Sequence, residues 1–570
     1  MRHPKVLAAA LALLSAAPAY GTQQLPDSLR ILAPLRDAQA RFERIRRWNL
    51  PWTPQFGGGE GEQIIGRFRY WPEYDARWTP RPEHDRVIRE RNKLLALLDS
   101  AATILPDNGW ITGQQVRYLI DGGRLEDALR RASECRAQGW WCQALTGLVA
   151  HLRGDFTAAD SAFAAALPTM TEADRCRWTD LSLVVDRDLV RSYRAAGCGN
   201  RDSLNRRIWW LADPLYLVPG NERRTEHYAR LVMSHLFEDT ANPYGVPWRD
   251  DSHEMVIRYG WSVRWERESR SPGASATQPT IIGHQRRGGR HFLPSASFLA
   301  EPSTMGWNDW ELDPVKPREI ASPPYSTRFV QLEPQVLVFR RGDSAVVAGV
   351  FHFGEREEGE KNAEVALIVV PDEHAAPTMV QETVTDGIAR LEARVARRPA
   401  LVSLEALDSA DSLAARKRYW LDVDSAAGTG FALSDLLLIE GFEPLPRQLG
   451  RALRLARPSA HYKPGEPIQL YWEIYRVSAD EPPFVSLTVV KQGKSVFRKV
   501  AEFLGFASRE RPKITLEWRE AQPTTRASIG RSVTLQLPDD QAGRYAIRLK
   551  ATTPGGETAE TEKEIFVEKR

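Results

Sequence analysis

Four short motifs near the middle of the 570-residue chain decide how the rest of it is divided. The sequence reads WWLADP at residues 209–214, NERRTEHYAR at 221–230, PWRDD at 247–251 and MVIRYG at 255–260. The second motif predicts a helix from Glu222 to about Asp239, on which Glu226 and Arg230 are one turn apart and can pair. The last motif predicts a strand from Glu254 to Arg258 that Tyr259-Gly260 ends.

The order of these motifs resembles the GWxTD domain, a family of exported bacterial proteins. In that family an aromatic pair precedes Asp-Pro, a helix carries Asn-Glu and a later Arg, and Gly-Trp-x-Thr-Asp precedes a strand ending in Tyr-Gly. The matching positions are Trp209, Trp210, Asp213, Pro214, Asn221, Glu222, Tyr228, Arg230, Trp248, Asp251, Tyr259 and Gly260. Pro247 and Asp250 replace the Gly and Thr of the name motif, which makes the chain a divergent relative. A second interpretation is that these residues only pack the domain, as Trp and Asp-Pro positions usually do.

The first residues have the pattern of a signal peptide. Arg2, His3 and Lys5 precede an apolar run at 6–17, and small residues follow near Gly21. The run is too short to span a bilayer, and the alternative is an N-terminal anchor helix. No later stretch approaches the roughly 20 apolar residues of a membrane helix. We therefore expect residues 1–21 to be a signal peptide, with the mature protein in the periplasm, at the cell surface or secreted.

The four cysteines lie within one segment, at Cys135, Cys142, Cys176 and Cys198. In an oxidising compartment an even, clustered set predicts disulfides, and four cysteines allow three pairings. The pairs Cys135–Cys142 and Cys176–Cys198 are favoured because each closes a short loop between predicted helices. A zinc site with four cysteine ligands is the alternative, although no CxxC spacing occurs.

Residues 86–200 show a helical pattern with a 31-residue period. Trp110 and Trp141 are one period apart, as are Gly123 and Gly154. The pattern predicts tetratricopeptide-like (TPR-like) repeats, in which small residues such as Gly147 allow helices to approach and Phe163 fills a neighbouring groove. An unspecialised helical bundle is the alternative.

Two β-sandwich domains are predicted to follow. Hydrophobic alternation and short turn spacing, including the Gly342-Asp343 turn, predict a sandwich at 329–445. A similar pattern at 450–570, with Tyr545 in the corner position of the penultimate strand, predicts an immunoglobulin-like (Ig-like) sandwich. The remaining segments are an irregular N-terminal stretch at 22–85, the GWxTD-like block at 201–267, expected to be a small α/β unit, and a connecting, extended segment at 268–328.

The chain shows no established catalytic or cofactor motif: HExxH, GxSxG and a Walker loop are absent. His227 and His235 lie two helical turns apart, roughly 12 Å, which is too far to share a metal ion. His284 and His291 bracket an Arg-Gly-rich turn at 286–290 that could hold a phosphate or sulfate, although such turns are usually solvated. A formal charge of +3 gives no general argument for nucleic-acid binding.

We therefore predict an exported protein–protein interaction scaffold of the bacterial envelope. It would have TPR-like helical repeats, a GWxTD-like block and two sandwiches, with no catalytic residue, metal or cofactor. The alternative is a glycan-binding protein or an envelope hydrolase. Its site would use the side chains Asp213, Glu222, His227, Arg230 and Asp251, and these would then converge in an open pocket with shifted pKa values.

Overall fold

A computed structural model of the chain describes residues 27–53, 63–70, 80–268, 281–286, 288–304, 310, 312, 317–354, 362–422, 430–441, 444–477, 482–492, 512–520, 528–537 and 542–569. The predicted signal peptide, residues 1–21, lies outside the described residues. The described chain is a mixed α/β structure of several parts, with helices concentrated before residue 260 and sheets after residue 328.

The N-terminal half is mainly helical. Its helices are α1 Asp27–Trp48, α2 Asp85–Ile104, α3 Gly109–Asp121, α4 Leu125–Ser133, α5 Trp141–Leu152, α6 Phe156–Ala166, α7 Glu172–Trp178, α8 Arg187–Ala195, α9 Asp202–Ala212, α10 Glu222–Phe237 and α11 Asp250–Tyr259. Two short helices follow, α12 Ala296–Ala300 and α13 Leu449–Arg454.

The first five strands are short and belong to this half. They are β1 Trp52–Thr53, β2 Gln63–Ile65, β3 Phe68–Tyr70, β4 Arg264–Glu268 and β5 Ile281–His284. Strands β2 and β3 form a hairpin, whereas β4 pairs with β1 on one side and with β5 on the other. The described residues of the segment 22–85 thus contribute a long helix and short strands, and helix α1 packs beside α2.

Helices α3 to α6 form two hairpins in register. Helix α5 begins 32 residues after α3, and α6 begins 31 residues after α4. A Cβ added to Gly147 would lie 2.7 Å from the Phe163 ring, so α5 and α6 of the second hairpin can pack this closely only with a glycine at position 147. Disulfides join Cys135 to Cys142 and Cys176 to Cys198, which confirms the favoured pairing.

Helix α10 occupies one side of these hairpins. It packs against α3, α5 and α6, and its buried side chains include Val232, Met233 and Leu236. Leu236 packs directly against α3 at Gly113, because a Cβ added to Gly113 would lie only 2.8 Å from Leu236 Cδ2. Helix α10 of the same chain therefore covers the side of the hairpins on which a helix from a partner protein could otherwise bind.

The strand predicted at 254–258 is wrong, because these residues lie in helix α11. Two acidic residues in its first turn, Asp250 and Asp251, favour a helix N-terminus, and Gly260 ends the helix with φ +82°. Met255 and Tyr259 are one turn apart and both buried. The adjacent β-branched pair Val256-Ile257 resembled a strand, but burial of this helical face overrides that local preference.

The described residues between 328 and 421 form a two-sheet unit, whereas strands at 432–433 and 437–439 belong to the sheets that follow. Its strands are β6 Arg328–Val330, β7 Gln335–Arg341, β8 Ser344–His352, β9 Ala363–Val370, β10 Thr378–Val384, β11 Ile388–Ala396, β12 Ala400–Asp408 and β13 Leu413–Leu421. One sheet has the order β10-β9-β12-β13-β6 and the other β11-β8-β7, with Val347, Phe351, Leu367 and Val402 packed between them. The predicted hairpin around Gly342 is confirmed as β7–β8.

The C-terminal unit also has two sheets. Its strands are β14 Ala432–Leu433, β15 Leu437–Ile439, β16 His461–Tyr462, β17 Ile468–Tyr475, β18 Phe484–Lys491, β19 Pro512–Arg519, β20 Ser528–Leu535, β21 Gly543–Thr552 and β22 Thr558–Val567. Strand β17 is central to one sheet, between β20 and the pair β14 and β15, and the second sheet has the order β16-β22-β21-β18-β19. Trp472, Leu487 and Tyr545 lie in the core between them.

Both outer faces of the first sandwich are covered. Leu337 and Phe339 of β7 pack against Leu437 and Tyr471 of the C-terminal unit. On the opposite side, Ile368 of β9 packs against Leu215 and Leu217, which follow α9. Strands buried on two faces read as continuous apolar runs, which explains the sequence AEVALIVV of β9.

The described residues of the segment 281–322 contact neighbouring elements. Ala321 pairs with Arg290 in an isolated bridge, and the Ile320 carbonyl accepts a hydrogen bond from Arg230 of α10. In the part of the chain that the structure describes, no helix has the length and apolar character required to cross a membrane.

Candidate functional site

Several polar residues of the block 201–267 are buried. Asp213 and Glu222 lie under the first sandwich, 7% and 2% exposed. Arg416 and Arg418 of β13 donate to the Asp213 carbonyl at 2.8 and 2.7 Å, and Tyr325 donates to a Glu222 carboxylate oxygen. These contacts join the block to the sandwich.

Burial raises the pKa of both carboxyl groups. The pKa of Asp213 is raised well above its usual range by burial and by the nearby Glu222 charge. Burial also raises the pKa of Glu222, to about 8. One oxygen of each carboxyl group, Asp213 Oδ1 and Glu222 Oε2, is buried without a hydrogen-bond partner among the described residues. Carboxyl groups in this setting favour the protonated form.

A second buried network joins α10 to the segment 317–322. Arg230 binds Glu226 and donates to the carbonyls of Ile257 and Ile320 at 2.9 and 2.6 Å. Arg223 binds Glu319 at 2.7 Å, and both side chains are fully buried. The geometry gives these arginines a positioning role, because their donors bind the Glu319 carboxylate and backbone carbonyls of other elements.

His227 lies inside the protein next to Trp209. It is 1% exposed, its ring centroid is 5.3 Å from that of Trp209, and neither ring nitrogen has a hydrogen-bond partner in the described structure. Burial, together with the charges of Arg223 and Arg230, lowers the pKa of His227 well below its usual value. The ring is therefore neutral at physiological pH and packs as an aromatic side chain.

Asp251 lies apart from these networks. It binds Arg67 on the β2–β3 hairpin at 2.7 Å, and the hydrogen bond from Arg67 lowers the pKa of its carboxyl group. The five side chains required for a hydrolytic site thus fall into separate networks, and none of them lines any of three clefts of about 420, 440 and 1230 Å³.

The remaining motif residues mark element ends and packing contacts. Asn221 caps α10 and donates to the Trp209 carbonyl at 2.7 Å. Trp248 stacks on Phe237 with ring centroids 4.7 Å apart, and Tyr259 is buried just before Gly260. Among the described residues, no group of three His, Cys, Asp or Glu side chains is placed to hold a metal ion.

An open pocket of about 420 Å³ lies where α10 ends beside α3 and α5, and we call it the aromatic–acidic pocket. Its wall includes Trp110, Trp140 and Trp141, and its lining also includes His235 and the acidic residues Asp107, Glu238 and Asp239. The His235 ring is 4.8 Å from the ring of Trp141 and 5.7 Å from that of Trp140, and its Nδ1 lies 2.8 Å from a Glu238 oxygen. The pocket thus combines π faces with carboxylates and contains no Lys or Arg in its described lining.

Two residues of this pocket have further notable features. Asp239 has φ +44°, a left-handed conformation uncommon outside glycine, and in the described structure neither Asp239 nor Asp107 pairs with a cation. The Cys135–Cys142 disulfide closes the loop that presents Trp140.

Sequence reasoning noted Trp110 and Trp141 for their spacing but missed the pocket. The adjacent pair Trp140-Trp141 was the available signal, since one helical face cannot bury both rings.

A second cleft, of about 440 Å³, lies between α2, the end of α3 and strand β4. We call it the arginine-lined cleft, because its lining includes Arg46, Arg81, Arg91, Arg264 and Arg286. Arg286 belongs to the Arg-Gly-rich turn that the sequence suggested for a phosphate or sulfate; Arg287 of that turn lies outside the described residues.

Comparison with known proteins gives no family for the chain. No family model matches it, and no curated protein does. Solved structures that it resembles include a superoxide reductase from Ignicoccus hospitalis, at 15% identity over 19% of this chain and 75% of that one, with a TM-score of 0.14. Others are a red sea bream transglutaminase (9% identity, 42% of this chain and 32% of that one, TM-score 0.14) and a Salmonella alpha-2-macroglobulin (9% identity, 58% and 20%, TM-score 0.16). The chain thus spans about a third of the transglutaminase and a fifth of the macroglobulin. At such scores the likenesses carry no argument about function.

Proposed function

We propose that the protein is an exported interaction scaffold of the bacterial envelope, and that the aromatic–acidic pocket anchors a basic side chain of a protein partner. The observation that carries this proposal is an open pocket with tryptophan walls and two carboxylates, those of Asp107 and Asp239, that pair with no cation in the described structure. Cations bind the faces of indole rings, and carboxylates supply the opposite charge. A lysine or arginine of a partner satisfies both features.

The rest of the architecture supports a binding role. Two registered helical hairpins, interpreted as TPR-like repeats, place α3 and α5 beside the pocket, and the GWxTD-like block supplies α10. Because α10 covers the neighbouring surface of the hairpins, the pocket at its C-terminal end is the part that stays open. We assign the two sheet units as β-sandwiches, the second Ig-like, that support this helical half.

The export assignment has independent support. Two disulfides are the pattern of an oxidising compartment, and the N-terminal sequence has signal-peptide features. A glycan-binding surface would require a row of exposed aromatic rings. Of the tryptophans in the described structure, Trp48 and Trp52 are the strongly exposed ones, which favours a protein partner.

Cross-linked capture from the envelope fraction tests the proposal, with the mature protein as bait. Its matched variant carries Asp107→Asn, Glu238→Gln and Asp239→Asn, which remove charge and keep the shape of the pocket. We expect one envelope protein to be recovered reproducibly with the wild type and at least about tenfold less with the variant. Equal recovery with both baits, or recovery of background alone, would overturn the proposal.

A further inference from the structure

The arginine-lined cleft has more positive than negative side chains. Five arginines line it, against the three acidic residues Glu83, Asp121 and Glu266. Arg46 lies 2.8 Å from Asp121, and Arg91 binds both oxygens of Glu83. Glu266 lies 3.6 Å from His284 Nε2. Two of the three acids are therefore already held by two of the arginines.

The other three arginines keep free hydrogen-bonding capacity. Arg81 donates to the Trp52 carbonyl at 3.0 Å, and Arg264 donates to its own neighbour, the Val263 carbonyl. Within the described structure, the Arg286 side chain makes no hydrogen bond and no ion pair. Its guanidinium carbon lies 5.8 Å from the centroid of the Trp261 ring. Two charged side chains act on Arg286: the carboxylate of Glu226 attracts its guanidinium group, and the guanidinium group of Arg230 repels it.

Arg46, on the buried side of the cleft, also lies against an indole ring, as Arg286 does. The residue is 1% exposed and pairs with Asp121 and, through Nε at 3.6 Å, with Glu43, while its Nη1 atom has no hydrogen-bond partner in the described structure. Its guanidinium carbon lies 5.3 Å from the centroid of the Trp265 ring. Indole faces thus support both Arg46 and Arg286, which restrains the guanidinium planes. Planar guanidinium groups bind oxyanions through paired N–H donors.

The geometry points to a binding site in this cleft for a small oxyanion, a phosphate or a carboxylate-bearing molecule, held by Arg286 and Arg264 against the wall of Trp261 and Trp265. A volume of about 440 Å³ is within the range of small-molecule sites. The site lies on a different surface from the aromatic–acidic pocket and takes a ligand of opposite charge. It therefore stands independently of the proposed function.

Calorimetric titration of the purified full chain tests this site, first with inorganic phosphate and then with succinate, at low ionic strength. We expect saturable binding of at least one of them, and the stronger of the two identifies the oxyanion class. Chloride at equal ionic strength should give no saturable heat. Absence of binding by both probes would overturn the inference.

Substitutions of the arginines that line the cleft provide a second test of the site. Arg286→Gln with Arg264→Gln should weaken binding by at least about tenfold, whereas Arg286→Lys alone should retain part of it, because the charge remains without the planar fork. Arg153→Gln, on a surface pair with Glu126, is the control and should bind as the wild type does. If the double variant folds, with an unchanged thermal midpoint, and binds as tightly as the wild type, the assignment of the site is wrong.

Discussion

At the residue scale, the buried polar groups of the block 201–267 join parts of the protein. Buried charges cost free energy unless opposite charges and hydrogen bonds compensate them. Arg230 is compensated by Glu226 and by backbone carbonyls of two other segments, and Arg418 by Glu405 and by the carbonyls of Leu211 and Asp213 at the end of α9. Such networks fix the positions of neighbouring elements.

Glu222 should make stability depend on pH. Its pKa is raised from 4.5 to about 8 in the folded protein by burial, so the folded state binds its proton more tightly than the unfolded state. The stabilisation is complete below about pH 4.5 and is lost as the pH rises through 8. Glu222→Gln mimics the protonated group, and its thermal midpoint should therefore fall less between pH 6 and pH 9 than that of the wild type. The exposed variant Glu126→Gln should follow the wild type, and parallel pH profiles for Glu222→Gln and the wild type would refute the assignment.

Arg230→Lys should destabilise the protein although the charge is kept. A lysine cannot reach Glu226 and the carbonyls of Ile257 and Ile320 together, so we expect a loss of about 3 kcal/mol in the free energy of unfolding. Urea unfolding measures it, and Arg153→Lys on the surface is the control. A loss below about 0.5 kcal/mol would show that the network contributes little.

At the element scale, helices and strands were predicted correctly where the local periodicity of apolar residues agrees with the burial in the structure. Helix α10 was predicted with nearly correct bounds, and the turn between β7 and β8 was predicted at its place, because apolar spacing and the Gly342 turn are local. Residues 254–258 were predicted wrongly, since the face that α11 buries is set by distant contacts with the β2–β3 hairpin. The aromatic–acidic pocket could not be predicted for the same reason, because three separate helices form it.

The close approach of α5 and α6 should fail when Gly147 gains a side chain. Gly147→Ala would place Cβ 2.7 Å from the Phe163 ring, and overpacking of this kind costs about 1–3 kcal/mol. Thermal unfolding measures the loss, and adding Phe163→Leu should restore part of it by making room. Gly199→Ala has open space around its Cβ and should change stability little. Equal midpoints for the two alanine variants would contradict the packing account.

At the scale of the whole molecule, the order of parts could be predicted from the sequence, whereas their mutual packing could not. Composition and periodicity separate a helical half from a β half, but the contacts between them join residues about two hundred positions apart. Leu217 packs on the sheet of the first sandwich, and its backbone N–H donates to the buried Glu405 at 2.9 Å. The sandwich is thus part of the environment that stabilises the helical half.

Residues 22–328 alone should therefore fold poorly. Without the sandwich, Leu215 and Leu217 become exposed, and the Asp213 carbonyl loses the donors from Arg416 and Arg418. We expect this fragment to aggregate or to show rapid amide exchange in α9, compared with the full chain. A monomeric fragment with the unfolding midpoint of the full chain would contradict this account.

The interaction role itself is tested most directly by photo-crosslinking in cells. A photoreactive amino acid at Gln138, in the lining of the aromatic–acidic pocket, should give one discrete adduct with an envelope protein. The same amino acid at the exposed Leu97 on α2 should give none, and the pocket variant with Asp107→Asn, Glu238→Gln and Asp239→Asn should lose the adduct from position 138. If position 138 gives no adduct, or the same adduct persists after the carboxylates are neutralised, the pocket does not anchor a partner.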